Sequence, residues 1–195
     1  MNPRRRFSQA ISEGDGISLL VPVDDARSAS AAEGEGAEGV VVVRRLDGLR
    51  EATALPIFSR AGDAPREAAD AGADAWLVWV ANVGDEERLR DLHAEAWNLG
   101  LEPVVGVRDD EELELALEQL DPEIVLLAPL GDGGDPLEQV LDLLPDVPAG
   151  KLAVADLPVR SREDVIALER AGVDAVIVAR ADLTSLAGGA PPDEV

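Results

Sequence analysis

Two stretches decide the fold: "AGADAWLV" (71–78) and "AGVDAVIV" (171–178). Each reads as the last turn of a helix, a glycine stop and then a buried strand, because glycine ends a helix in the left-handed conformation without steric cost. The apolar run that follows is too short for a buried helix and rich in strand-forming side chains. A looser copy, "EGAEGVVVV" (35–43), shows that the unit recurs. Recurring helix-then-strand units predict a closed barrel or a doubly wound sheet.

Counting outward from these copies decides between the two. Apolar runs come at nearly even spacing: 17–23, 39–43, 55–59, 75–80, 102–107, 124–129, 151–156 and 175–179. Between them lie helix patterns with start signals, since a side-chain oxygen must satisfy the free N–H groups of a first turn. Asp85, Asp109, Asp135 before Pro136, and Ser161 with Asp164 three residues on all fit, the last as a capping box. Leu113, Ala116, Leu117 and Leu120 form one apolar stripe on an otherwise acidic helix. Eight near-continuous apolar strands joined by helices predict a compact (β/α)8 TIM barrel with short loops, because 195 residues fall well below the usual length of about 250. An open sheet would leave about three strands over.

The whole chain, 1–195, reads as a single barrel domain, with 46% hydrophobic residues to fill one core. Residues 1–16 are expected to be a cap segment, in which Phe7, Ala10 and Ile11 fall at helical spacing and cover the barrel floor or a flank. After the last strand too little chain remains for a full eighth helix, so residues 183–195 are expected to be a short or disordered tail. Val176 and Ile17 would then be left bare on the outside, and covering them by two-fold pairing favours a weak homodimer over a monomer.

Composition excludes several classes of function. Forty acidic against 17 basic residues give a formal net charge of −23, whose field opposes nucleic acid and anionic membrane surfaces as partners. The absence of cysteine removes disulfides, thiolate nucleophiles and cysteine metal sites, and a single histidine, His93, rules out a histidine-rich metal cluster. No cofactor is called for. The basic "RRR" (4–6) precedes polar residues instead of an apolar run, and no stretch reaches the roughly 20 apolar residues of a membrane span, so a cytoplasmic protein is expected.

Three segments carry a resemblance: "PREAADAGADAWLV" (65–78), "LRDLHAEAWNLGLEPVVGVRDDEELELAL" (89–117) and "RSREDVIALERAGVDAVIVA" (160–179). They are similar to indole-3-glycerol-phosphate synthase, the similarity running from about 55 to 179. That family closes an indole ring by decarboxylation and dehydration of a carboxyphenylamino-deoxyribulose phosphate, using lysine and glutamate at the strand C-termini. The resemblance implies a lysine and a long covering loop after the first strand, where Val23 is followed at once by Asp24 and Asp25. It places the family's catalytic lysine at Arg60, its fifth-strand glutamate at Gly106, its asparagines near Ala128 and Pro129, and its seventh-strand glutamate at Asp156. The phosphate-cradling glycines fall on Pro158 and Ala179, although a proline has no N–H to offer an anion. A guanidinium cannot release a proton as an acid, and Gly106 leaves space where a carboxylate would act. The implied reading is a catalytically eroded relative with no catalytic residue of its own.

Against that erosion, arginines sit just past the strands at Arg44, Arg45, Arg60, Arg108, Arg160 and Arg180. One reading is an anion site at the C-terminal mouth, with Arg60, Arg108, Asp156 and Arg180 holding a small phosphorylated or carboxylated ligand. The other is local neutralisation of Asp24, Asp156 and Asp182. The alternatives in function are an active indole-3-glycerol-phosphate synthase, or an isomerase or lyase of sugar phosphates. His93 shares a face with Leu89, Leu92 and Ala96 and reads as a packing residue. Trp76 and Trp79 have opposite parity, so one lies inside the barrel and one beneath the helices. The run "GDGGDP" (131–136) reads as a turn into a helix cap.

Overall fold

A computed structural model describes residues 6–14, 16–130 and 134–186. Eight parallel strands close into a barrel in chain order: β1 (Ser18–Pro22), β2 (Gly39–Val42), β3 (Ile57–Ser59), β4 (Ala75–Trp79), β5 (Glu102–Val107), β6 (Ile124–Leu127), β7 (Leu152–Ala155) and β8 (Ala175–Ile177). Each falls within the run expected of it. The ring is shut by Ser18, Leu19 and Leu20 lying beside Ala175, Val176 and Ile177.

Helices α1 (Phe7–Ser12), α2 (Ala26–Gly34), α3 (Leu49–Ala52), α4 (Pro65–Asp70) and α5 (Val80–Val83) serve the first half of the ring. Helices α6 (Glu86–Asn98), α7 (Asp110–Leu120), α8 (Pro136–Leu143), α9 (Arg162–Ala171) and α10 (Leu183–Leu186) serve the second. Their starts follow the capping chemistry: Asp85, Asp109 and Asp135 each accept a first-turn N–H, and Ser161 forms a full capping box with Asp164. Alternation along the strands divides the apolar side chains into two layers. Leu20, Val41, Phe58, Leu77, Val104, Leu126, Val154 and Ile177 fill the barrel, while Val21, Val40, Trp76, Val105, Val125 and Val176 lie under the helices.

Helix α1 covers the floor. Phe7 and Ile11 of α1 are buried in the interior layer, the Phe7 ring 5.2 Å from that of Phe58. The Ser8 backbone N–H and hydroxyl both donate to the buried carboxylate of Glu102, which fixes α1 to the first residue of β5.

The duplicated stretches have one physical cause. At each junction the acid two residues past the glycine accepts the N–H of a residue in the preceding strand: Asp74 from Ile57 at 2.8 Å, Asp174 from Ala153 at 2.7 Å. Asp74 is also paired with Arg50 at 2.7 Å. Asp174 has no such cation among the described residues, and burial pushes its carboxyl above the ordinary range against the pull of the Ala153 N–H.

The flank between β8 and β1 differs from expectation. Only the four residues of α10 stand where an eighth helix would lie, yet Val176 is fully buried and Ile17 half-buried. The correction has a simple cause: Leu183 and Leu186 of α10 are buried in the same apolar layer as Val176. What stays open is a groove of about 410 Å³ bordered by Ile17, Val165, Ile166, Glu169 and Leu186. The rest of the expected tail, 187–195, and residues 131–133 of the glycine-rich turn lie outside the described residues.

Candidate functional site at the barrel mouth

In barrels of this architecture the C-terminal ends of the strands carry the site, because the βα loops gather there. Arg60 follows β3, Trp79 ends β4, Arg108 follows β5 and Asp156 follows β7. In a ring of eight strands taken in order, β3 and β7 stand opposite each other. Arg60 nonetheless meets Asp156, its Nη1 lying 2.7 Å from Asp156 Oδ2. The two side chains are 23% and 24% exposed, so the pair forms a bar across the mouth.

Trp79 lies under that bar. Its partner across the ladder is Gly106, and a Cβ built on Gly106 would come within 2.6 Å of the indole ring. The position where the resemblance implies a catalytic glutamate is therefore covered by an aromatic ring from the neighbouring strand. The expected space at Gly106 is filled, because a residue with no side chain beside a large one lets the ring lie flat against the strand. Two guanidinium groups approach the same ring, Arg108 at 5.0 Å from its centroid and Arg60 at 5.9 Å, within cation–π range.

Arg108 has no carboxylate in ion-pair contact among the described residues; its Nη2 reaches Asn82 Oδ1 at 3.4 Å. Its backbone N–H donates to Glu112, whose carboxyl is pushed up by burial and by the neighbouring charge of Asp109. Of the four residues expected at the site, the structure gathers Arg60, Arg108 and Asp156. Arg180 is not among them: its Nη2 and Nε donate to Glu35 at 2.9 and 3.2 Å, a contact that draws the Glu35 carboxyl below its ordinary range.

Of the six arginines that follow strands, Arg60 and Arg108 meet at one ring. Arg44 donates to the backbone carbonyl of Asp24, and Arg45 lies 3.7 Å from Asp47. A strand end dictates where an arginine backbone stands, but the long side chain turns to whichever acceptor is nearest. Trp79 and Asn82 were not anticipated as site residues. The signal for Trp79 was the pairing of a bulky residue with a glycine on adjacent strands, which becomes visible only once the register is known. His93 is half-buried, with its pKa lowered by burial, as suits a packing residue. Among the described residues no cluster of acids and histidine is placed to hold a metal ion, and no helix is long and apolar enough to cross a membrane.

The sequence profile of indole-3-glycerol phosphate synthase matches residues 65–185. Among curated proteins, the chain is 34% identical to an indole-3-glycerol phosphate synthase of Variovorax paradoxus over 178 residues, covering 83% of this chain and 66% of that protein. It is 40% identical to one of Acidithiobacillus ferrooxidans over 116 residues, 59% of this chain and 44% of that protein. With one of Bacillus thuringiensis it shares 30% identity over 196 aligned positions, 89% of this chain and 74% of that protein. The chain therefore spans between less than half and three quarters of the length of these relatives. Among solved structures it is similar to an N-acetylmannosamine-6-phosphate 2-epimerase from Clostridium perfringens, with a TM-score of 0.71 at 15% identity over 95% of this chain and 93% of that one. It is also similar to a mutant tryptophan synthase alpha-subunit from Pyrococcus furiosus, with a TM-score of 0.62 at 18% identity over 85% and 88%. At such identities these two share the fold alone.

Proposed function

This chain belongs to the indole-3-glycerol phosphate synthase family, and on that premise we propose that it is a member without the ring-closing activity, whose mouth holds a small phosphorylated or carboxylated anion. One observation carries the first half of this reading: the Trp79 indole covers Gly106, where the resemblance implies a carboxylate. Ring closure by decarboxylation and dehydration needs groups that give and take protons. Arg60 stands where the lysine is implied, and a guanidinium does not serve as a general acid. Asp156, at the place of the implied seventh-strand glutamate, is tied to Arg60 at 2.7 Å.

The second half rests on Arg60 and Arg108. Two guanidinium groups approach one ring at the mouth of a chain with 17 basic residues, and Arg108 has no ion-pair partner among the described residues. A planar fork of N–H donors suits a phosphate or carboxylate oxygen pair.

The direct test is incubation with carboxyphenylamino-deoxyribulose phosphate, followed by indole fluorescence. The expected outcome is no turnover above background. Measurable turnover would instead establish the alternative, a working lyase, which the names of the relatives favour. An isomerase or lyase of sugar phosphates built on Asp156 has only the shared barrel behind it, and fold does not choose function.

A further inference from the structure

The anion seat is occupied in this structure by part of the chain itself. Arg60 already holds a carboxylate at 2.7 Å, and that carboxylate belongs to a strand on the far side of the ring. We infer that Asp156 is a tethered competitor: it sits on Arg60 where a ligand's oxyanion would sit, and its charge sets how strongly an anion must bind to enter the mouth. This rests on the reading of Arg60 and Arg108 as an anion seat.

Three features support it. The first is reach, because Arg60 crosses the mouth to meet Asp156, although surface arginines ordinarily pair with neighbours. The second is geometry at the ring: Arg60 and Arg108 both approach Trp79, so a dianion between them would engage both cations once Asp156 lets go. The third is room for the ring alone: a cavity of about 270 Å³ adjoins Trp79, lined also by Trp76, Asn82, Val83 and Leu92 and by neither Arg60 nor Asp156. Opening the bar therefore need not press the indole into packed neighbours. The exchange is one of partners only: Asp156 leaves the guanidinium for water, the oxyanion takes its place, and no covalent bond changes. A ligand that offers two negative charges replaces the one it displaces and engages Arg108 with the other. Inorganic phosphate is the smallest probe of that chemistry.

The test is a phosphate titration at constant ionic strength, read by tryptophan emission and by thermal melting, on the wild type and Asp156→Asn. Removing the tethered charge should tighten phosphate binding by at least about tenfold, the scale of one contact charge in a partly wet site. Asp156→Ala serves as a second variant should the amide take the carboxylate's place on Arg60. Asp63→Asn, at the rim, controls for the loss of one negative charge in general, and Trp79→Phe should remove the emission response. Equal affinity in wild type and Asp156→Asn would overturn the competitor while leaving the seat intact. An equal gain in Asp63→Asn would overturn it as well, reducing the effect to the overall field. No binding in any variant, or binding that persists in Arg60→Ala/Arg108→Ala, would overturn the seat itself.

Discussion

An added Cβ on Gly106 would stand 2.6 Å from Trp79 Cε3, closer than any real contact allows, so Gly106→Ala must displace the indole. The cost of such overpacking is about 1–3 kcal/mol, softened here because Trp79 is half-buried and borders a cavity. Urea denaturation should show that loss, and Gly106→Ala/Trp79→Ala should recover part of it. The same collision limits any attempt to restore the family's chemistry. Gly106→Glu with Arg60→Lys should yield no indole-forming activity while Trp79 is in place, since the new carboxylate would meet the ring. Groups of one catalytic site act as a unit, so the pair is not expected to succeed piecemeal. Much of this site was hidden from the sequence. Arg60 and Asp156 were identifiable by their place after strands, but their meeting depends on the closed ring, and Trp79 depends on a register that apolar runs do not specify. Arg180 shows the opposite failure, because Glu35, the partner it takes, lies 145 residues away.

At the scale of elements, the strands were legible because each is a short apolar run, most of them following a glycine, and every one appears where expected. Helix starts were legible for the same local reason, an acid or serine before the first turn. The junction acids matter beyond their motif. Because burial raises the folded-state pKa of Asp174 above its ordinary 3.8, folding favours the protonated form. That contribution is complete below 3.8 and is lost as pH rises through the folded value, so at pH 7 it is absent. Asp174→Asn keeps an acceptor for the Ala153 N–H and should be at least as stable as the wild type at pH 7. The wild type should gain on the variant between pH 7 and pH 4, as paired denaturation curves at each pH will show. Helix α1 gives a second prediction. Phe7 is fully buried against Phe58, so Phe7→Ala should cost about 3–5 kcal/mol in chemical denaturation.

On the scale of the whole molecule, the bare patch from which a homodimer was expected has shrunk to the groove beside α10. A groove of that size offers little area for tight pairing, and a formal net charge of −23 on each copy opposes approach. Light scattering at moderate salt should therefore give 20.5 kDa at micromolar concentration, rising only when the protein is far more concentrated. A dimer persisting on dilution would show that the groove is an interface. The order in which the ring is completed also has a consequence during synthesis. Ser18 opens the first strand, but its neighbour Ala175 is made only after the six strands between them, and Ser8 waits for Glu102, 94 residues later, before the floor is secured. At ribosomal speeds the first strand spends on the order of ten seconds with one edge unpaired. A barrel of this strand order that lacks its eighth strand leaves the outer edge of the first strand open, and an unpaired edge is what invites pairing with the wrong strand.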